Sequence, residues 1–395
     1  MTTDAIVDST DHAGPFAAAP ALSPIPVMLV GTSYPTTHGD WKGIFIRQMV
    51  ESLARREDIR LHTWCPPGPM PANVRTAWID DDARWLLRLM ERGGIAHLLR
   101  KNPLLGLKTA LGLMWRLRRS YASSDASLFH LNWLQNVLTL PNDRRPLLVT
   151  ALGTDMQLLR LPLMRSLLLR KFAARRTVLC PNAAWMVAPL ANAFGDVADI
   201  RYVPLGIDSA WFRIERSPAP DGIHRWICVS RLTSGKLGPL FEWCAPHFSG
   251  RERELHLFGP MQEQITVPDW VHYHGAATPE QLREEWFPRA TGLITLSRHA
   301  EGRPQVMLEA MAAGLPILAS RLPAHEDIVS HSITGWLCDD STTVSSCLDA
   351  GEDLAYNSMI GSRAREWCRS ETGDWDDCAA RYCALYRTLL TGEEQ

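Results

Sequence analysis

Nowhere in the 395 residues does an apolar run approach the roughly 20 residues that a membrane-spanning helix needs, so no such helix is predicted. The nine cysteines are an odd, scattered set without any C-x-x-C pair. That excludes a zinc site of the usual spacing and reads as reduced thiols in a cytoplasmic protein. Net charge is nearly absent as well, −2 over the whole chain, which removes the basic excess expected of a nucleic-acid binder. The first 25 residues lack both a basic n-region and a continuous apolar h-region, so they are read as a disordered leader and not as a signal peptide. Lysine is scarce too: only Lys42, Lys101, Lys108, Lys171 and Lys236 stand among 41 cations.

What is present is a globular composition, 46% apolar and 21% charged, on a chain long enough for two cores. Residues 1–200 hold 23 Lys/Arg against 16 Asp/Glu, and residues 201–395 hold 18 against 27, so the halves are expected to meet different partners. Short β-branched runs ending in Gly, Pro or Ser alternate with longer helical patterns, the sign of βα units around parallel sheets. The expected strands are 26–31, 60–65, 127–131, 146–151, 177–181 and 201–204, then 226–230, 255–258, 271–274, 292–296, 316–319 and 335–338. Pro218, Pro220, Asp221 and Gly222 break the pattern between Arg213 and Arg225. The expected division is a leader (1–25), a first Rossmann-like domain (26–215), a second (216–375), and a helix (376–395) that crosses back to the first. The active site is expected between them, at the carboxyl ends of the strands.

The most informative segment is 291–320, TGLITLSRHAEGRPQVMLEAMAAGLPILAS. A strand ends at Ser297, Glu301 and Gly302 lie in a loop, Pro304 opens a helix, and Gly314 caps it. Glu301 thus sits outside the helix near its positive end, and Glu309 inside it, one turn beyond Gln305. Free N–H groups there suit a phosphate, and two flanking carboxylates suit the hydroxyls of a sugar and a ribose. The plainer alternative is a solvated loop acid and an ordinary helix-surface acid. In VSRLTSGKLG (229–238) a strand is expected to end at Arg231, and the loop after it presents Lys236. One of the few lysines in a Gly-flanked strand-to-helix loop suggests a point charge at a phosphate; a solvated loop cation is the alternative.

Together these residues resemble the retaining glycosyltransferases of family 4, whose GT-B fold (α/β) sets two Rossmann-like parallel-sheet domains face to face across a cleft. The resemblance spans most of residues 26–340. It rests on the E-x7-E pair in EGRPQVMLEAMAAGLPILAS, followed by HEDIV and TGWL, and on SRLTSGK, HLFGP, HYHGAAT and VPLGID in the family's order. It implies a nucleoside diphosphate-sugar held mainly by the second domain. Glu309 would take the ribose, Arg231 and Lys236 the diphosphate, and Glu301 with the backbone of Gly302, Arg303, Pro304 and Gln305 the sugar. Glu301, Arg231 and Lys236 are then the catalytic set, Arg231 and Lys236 doing what a metal does in other transferases, so neither metal nor cofactor is expected. SYPTTHGDWKGIFIRQMV resembles the family's glycine-rich first loop, with Gly39 and Gly43 admitting donor phosphate or acceptor and a helix over Ile44 to Ala54.

One departure is Leu152 in VTALGTD, where the family usually carries a histidine before the glycine. His130 reads as a core histidine, and His272 and His274 as structural, with no third ligand nearby. The triplet Asp80, Asp81, Asp82 could imitate metal-binding carboxylates, but helix capping near Ala83 accounts for it. Residues 84–119 carry nine Lys/Arg against Glu91, beside Trp85, Leu86, Leu89, Leu98, Leu99, Leu104, Leu105, Leu111, Met114 and Trp115. That composition suits amphipathic helices on an anionic membrane surface, and a second basic stretch follows at Arg160–Arg176; helices that merely cover the sheet are the alternative. The resulting expectation is a hexosyl transferase at the inner face of the plasma membrane that extends a lipid-linked glycan in surface-polysaccharide synthesis. An epimerase or hydrolase on the same scaffold, or a non-catalytic nucleotide-sugar-binding component of an assembly complex, remains open.

Overall fold

The computed structural model describes residues 23–40, 42–217, 221–250 and 252–392; most of the expected leader, residues 1–22, lies outside them. Two all-parallel sheets form. The first contains β1 (Ile25–Val30), β2 (Ile59–Trp64), β3 (Arg75–Thr76), β4 (Leu128–Asn132), β5 (Leu147–Ala151), β6 (Thr177–Pro181) and β7 (Asp199–Ile200), in the order β3-β2-β1-β4-β5-β6-β7. The second contains β8 (His224–Val229), β9 (Arg253–Phe258), β10 (Val271–Tyr273), β11 (Gly292–Thr295), β12 (Ile317–Ser320) and β13 (Trp336–Cys338), in the order β10-β9-β8-β11-β12-β13. In both, the order reverses beside the first strand, and in open α/β sheets that reversal opens a crevice at the strand ends.

The central strands read as near-continuous apolar runs because helices cover both faces. Val27 and Leu29 pack on helix Ile44–Ala54, and Met28 and Val30 on the side lined by Leu113 and Leu117. The expected strands occur within two residues of their limits, with one exception. Residues 201–204 are not a strand: the chain leaves the ladder after Ile200, and Arg201 and Val203 only donate their amides to Leu179 and Pro181. The two-residue β3 was not expected.

Helix Trp375–Thr391 lies against the first sheet. Trp375, Cys378, Tyr382, Cys383, Tyr386 and Leu389 join the core of Val27, Leu29 and Leu148. Its amino end is secured by Asp374, whose side chain accepts from the amides of Asp376 and Asp377. His130 is fully buried beneath it, with Nδ1 at 2.6 Å from the Tyr386 hydroxyl and Nε2 at 2.8 Å from Thr150 Oγ1. Burial pushes its pKa down to about 3, so it is a neutral core histidine, as its sequence context suggested.

The acidic triplet does something other than cap. Asp81 stands at the N-cap of helix Asp82–Glu91 but makes no side-chain capping bond. Instead Arg116, from helix Pro103–Ser123, pairs with Asp81 at 2.7 Å and Asp82 at 2.6 Å, and Arg119 pairs with Asp80. Asp82 is buried and also accepts from the Trp64 indole and the Ile79 amide, both at 3.1 Å. The triplet thus anchors one amphipathic helix to the next. Leu86, Leu89 and Leu98 enter the core, whereas Leu104 (83% exposed), Leu107, Leu111 (58%) and Trp115 stay on the surface with Leu161, Leu163 (75%) and Leu167 of the second basic stretch.

Candidate active site

The loop from Ser297 to Pro304 stands at the carboxyl end of β11, facing the carboxyl ends of β5 and β6. Helix Gln305–Ala312 begins after Pro304, which occupies the N-cap in extended conformation, one position earlier than expected. Ala313 is the C-cap of the helix, and Gly314 follows at φ 69°, a left-handed turn suited to glycine. Between the lobes the backbones of Gly153 and Gly302 touch. A Cβ on Gly153 would lie 2.2 Å from the Gly302 nitrogen, so the glycine is required by the approach of the other lobe.

Lys236 and Glu301 meet as an ion pair, with both side chains largely withdrawn from solvent. Ser297 Oγ also donates to Glu301, at 3.3 Å. Strand β8 ends at Val229, two residues before its expected limit. Lys236 therefore lies in a one-turn helix, Ser234–Leu237, where Thr233 Oγ1 accepts its amide at 3.2 Å. Burial lowers the Lys236 pKa despite the opposing pull of Glu301, and nearby Arg231 lowers it further. Arg231 reaches Gln262 Oε1 at 3.4 Å. Two cations thus bracket one strand end, where the Glu301 carboxylate offsets part of their charge.

Glu309 sits one helical turn deeper. Burial pushes its carboxyl up to about 7, with Asp208 beside it adding repulsion. Arg303 does not direct its side chain at the cleft. Its guanidinium bonds to the Tyr202 hydroxyl and to Thr372 Oγ1 (3.2 Å), which lie on the two segments that cross between lobes. The Gln305 side-chain Nε2 donates to Gly206 O at 2.8 Å on one of those crossings. Any meeting of residues 302–305 with a ligand is therefore through backbone. In the first lobe Gly43 is left-handed (φ 71°) and presses on Ser33, where a Cβ would lie 2.6 Å from the hydroxyl; Gly39 faces open space. Gly43 is thus demanded by its own loop, and Gly39 by no neighbour.

Leu152 is nearly buried, and its backbone is held from below. The carboxylate of Asp155 accepts from Leu152 N at 2.5 Å and from Leu134 N at 3.0 Å, and burial pushes the Asp155 pKa up to about 7. His272 and His274 do have a third histidine beside them. His256 of β9 bonds His274 (2.9 Å) and stacks on His272 (4.9 Å) against Trp286, so the group is a ring stack on the sheet edge. Trp185, which no motif singled out, and Asp327, which lies in HEDIV without an assigned role, also cross the cleft: Trp185 Nε1 donates to Gly302 O at 2.8 Å, and Asp327 accepts from the amides of Ala184 and Trp185 at 3.1 Å each. The signal available was position, since PNAAW follows β6 at the cleft rim.

Residues 225–354 match the family model described as glycosyl transferases group 1. A GDP-mannose-dependent alpha-(1-6)-phosphatidylinositol monomannoside mannosyltransferase of Mycobacterium tuberculosis is 26% identical over 255 residues, 58% of this chain and 66% of that one, just under two thirds of its length. A D-inositol 3-phosphate glycosyltransferase of Streptomyces avermitilis is 26% identical over 186 residues, 45% of this chain and 39% of that one. Among solved structures, sucrose-phosphate synthase from Thermosynechococcus elongatus superimposes with a TM-score of 0.68 at 17% identity, covering 93% of this chain and all of that one. Anabaena HepE in complex with UDP and glucose gives 0.62 at 13%, covering 92% of this chain and all of that one. The two facing parallel sheets are the GT-B fold of those structures, and the second sheet, from Arg225 onward, lies within the segment that matches the group 1 glycosyl transferase model.

Proposed function

We propose that the protein transfers a hexosyl residue, with retention of configuration and without a metal ion, from a nucleoside diphosphate-sugar to a lipid-linked glycan. Residues 216–375 form the donor lobe and 26–215 the acceptor lobe in this reading, and the product belongs to surface-polysaccharide synthesis at the inner face of the plasma membrane. The observation that carries it is the Lys236–Glu301 pair, largely withdrawn from solvent at the point where the two lobes touch. A diphosphate entering beside Arg231 and Lys236 offers the ammonium a doubly charged partner and frees Glu301 to accept from sugar hydroxyls. The same two cations then stabilise negative charge as it grows on the departing diphosphate. Glu309, ionised, accepts from the ribose.

The mycobacterial relative is named for GDP-mannose and a phosphatidylinositol mannoside. That name favours GDP-mannose as the first donor to try and keeps a glycolipid acceptor open beside a polyprenyl-linked one. Thermal shift of the purified chain against UDP-, GDP- and ADP-sugars identifies the donor, because a bound ligand raises the melting temperature. Labelled donor with a membrane extract then reports transfer. Glu301→Ala is expected to abolish transfer while the chain still folds, its melting temperature lowered because Lys236 loses its partner, and Lys236→Ala to weaken the nucleoside diphosphate by about tenfold or more. Transfer by Glu301→Ala at the wild-type rate removes Glu301 from the catalytic set.

A further inference from the structure

The Glu301–Gln305 loop belongs to the second lobe, yet it is held from outside that lobe. The Gly302 carbonyl receives the Trp185 indole N–H at 2.8 Å. Trp185 itself is fixed by its backbone, since its amide and that of Ala184 both donate to Asp327. The peptide bond from Gly302 to Arg303 is trans, so its C=O and its N–H point in opposite directions. Pulling the carbonyl toward Trp185 therefore turns the Arg303 amide away from it. Among the described residues that amide finds no acceptor, and an unpaired backbone donor at a recessed loop calls for a partner from elsewhere. The next residue, Pro304, has no N–H to offer.

We propose that Trp185 is a positioning residue for transfer: its indole holds the Gly302 carbonyl and thereby aims the Arg303 amide at the sugar of the bound donor. This rests on the reading of the cleft as a nucleotide-sugar site. It assigns to the first lobe a share in recognising the sugar, while the diphosphate remains with Arg231 and Lys236. Loss of the indole N–H then costs sugar recognition and spares the diphosphate.

Trp185→Phe keeps the aromatic ring and removes only the donor. Two pairs of probes, GDP with GDP-mannose and UDP with UDP-glucose, are titrated against wild type and variant, and amide hydrogen exchange is followed over residues 298–312 of the free full-length chain. The expected result is an unchanged diphosphate affinity within about twofold, a roughly tenfold loss in the advantage of the sugar nucleotide over its diphosphate, and exchange about tenfold faster at 301–306 alone. In turnover, kcat falls more than the donor KM rises. Asp327→Ala, which frees the Ala184 and Trp185 amides and leaves the indole intact, serves as a second variant with the same expected exchange pattern. Equal exchange and an equal affinity ratio in wild type and Trp185→Phe overturn the proposal. Failure of the wild type to bind any of the four probes overturns the donor-site reading instead, and with it the target assigned to the Arg303 amide, while the exchange result still decides whether Trp185 holds the loop.

Discussion

Lys236 and Glu301 neutralise one another in a recess where neither finds enough water, and that mutual dependence is what a ligand must exploit. Removing one partner leaves the other buried and unpaired, which usually costs more than the pair itself contributes. Glu309 is the more sensitive reporter. With a carboxyl pushed up to about 7, it is largely protonated at pH 6 and largely ionised at pH 8. Only the ionised form presents both oxygens as acceptors to a ribose, so affinity for the nucleoside diphosphate is expected to rise between about pH 6 and 8 and to level off above. Calorimetric titration across that range checks it, and Glu309→Gln should flatten the profile. The identities of these residues were legible in the sequence because their spacing and helix position carry the chemistry. The destinations of Arg303 and Gln305 were not, because their partners, Tyr202, Thr372 and Gly206, lie about seventy to a hundred positions away, and only the tertiary fold brings them near.

Strands and helices were read from period and punctuation, and where those signals were local they sufficed. Helix Ile44–Ala54 begins immediately after a left-handed glycine and ends where expected. The failures have a common cause. Residues 201–204 still donate amides to β6, but Pro181 and Pro204 have no N–H to give a ladder, and β3 exists only because β2 offers it an edge. The acidic triplet suggested a cap by its position, yet the arginines of a helix more than thirty residues later take all three carboxylates. At this scale the contact of helix Trp375–Thr391 with β4 and β5 is open to test. Tyr386→Phe removes a hydroxyl bonded to buried His130 and should destabilise the chain by about 1–3 kcal/mol, measured by denaturant unfolding. His130 has a folded pKa near 3, below its unfolded value, so the stability it contributes as a neutral group is present above about pH 6.5 and drains away as the pH falls below that. His130→Gln should shallow that acid limb.

At the scale of the molecule, one surface is out of keeping with the rest. Among the described residues no helix is long and apolar enough to cross a membrane. Yet Leu104, Leu107, Leu111, Trp115, Leu161, Leu163 and Leu167 are all exposed on basic helices of the first lobe. Arg88, Arg116 and Arg119 are already paired with the acidic triplet, so Arg84, Arg92, Arg100, Lys101, Lys108 and Arg118 are the cations of the first stretch left to meet an anionic surface. Peripheral contact of this kind predicts co-sedimentation with vesicles containing anionic lipid, weaker with neutral vesicles and weakened by salt. Replacing Leu104, Leu107 and Leu111 by serine should lower the bound fraction severalfold without changing the melting temperature. Equal sedimentation of wild type and triple variant would remove these helices from the contact.

The return of helix Trp375–Thr391 to the first sheet also orders events during synthesis. The second sheet is complete in the nascent chain by Cys338, whereas the core of the first waits for Tyr382, Tyr386 and Leu389. The earlier half of the chain therefore settles last, with the face of β4 and β5 that holds His130 and Thr150 uncovered until Leu389 emerges, and chaperone demand should concentrate in that interval.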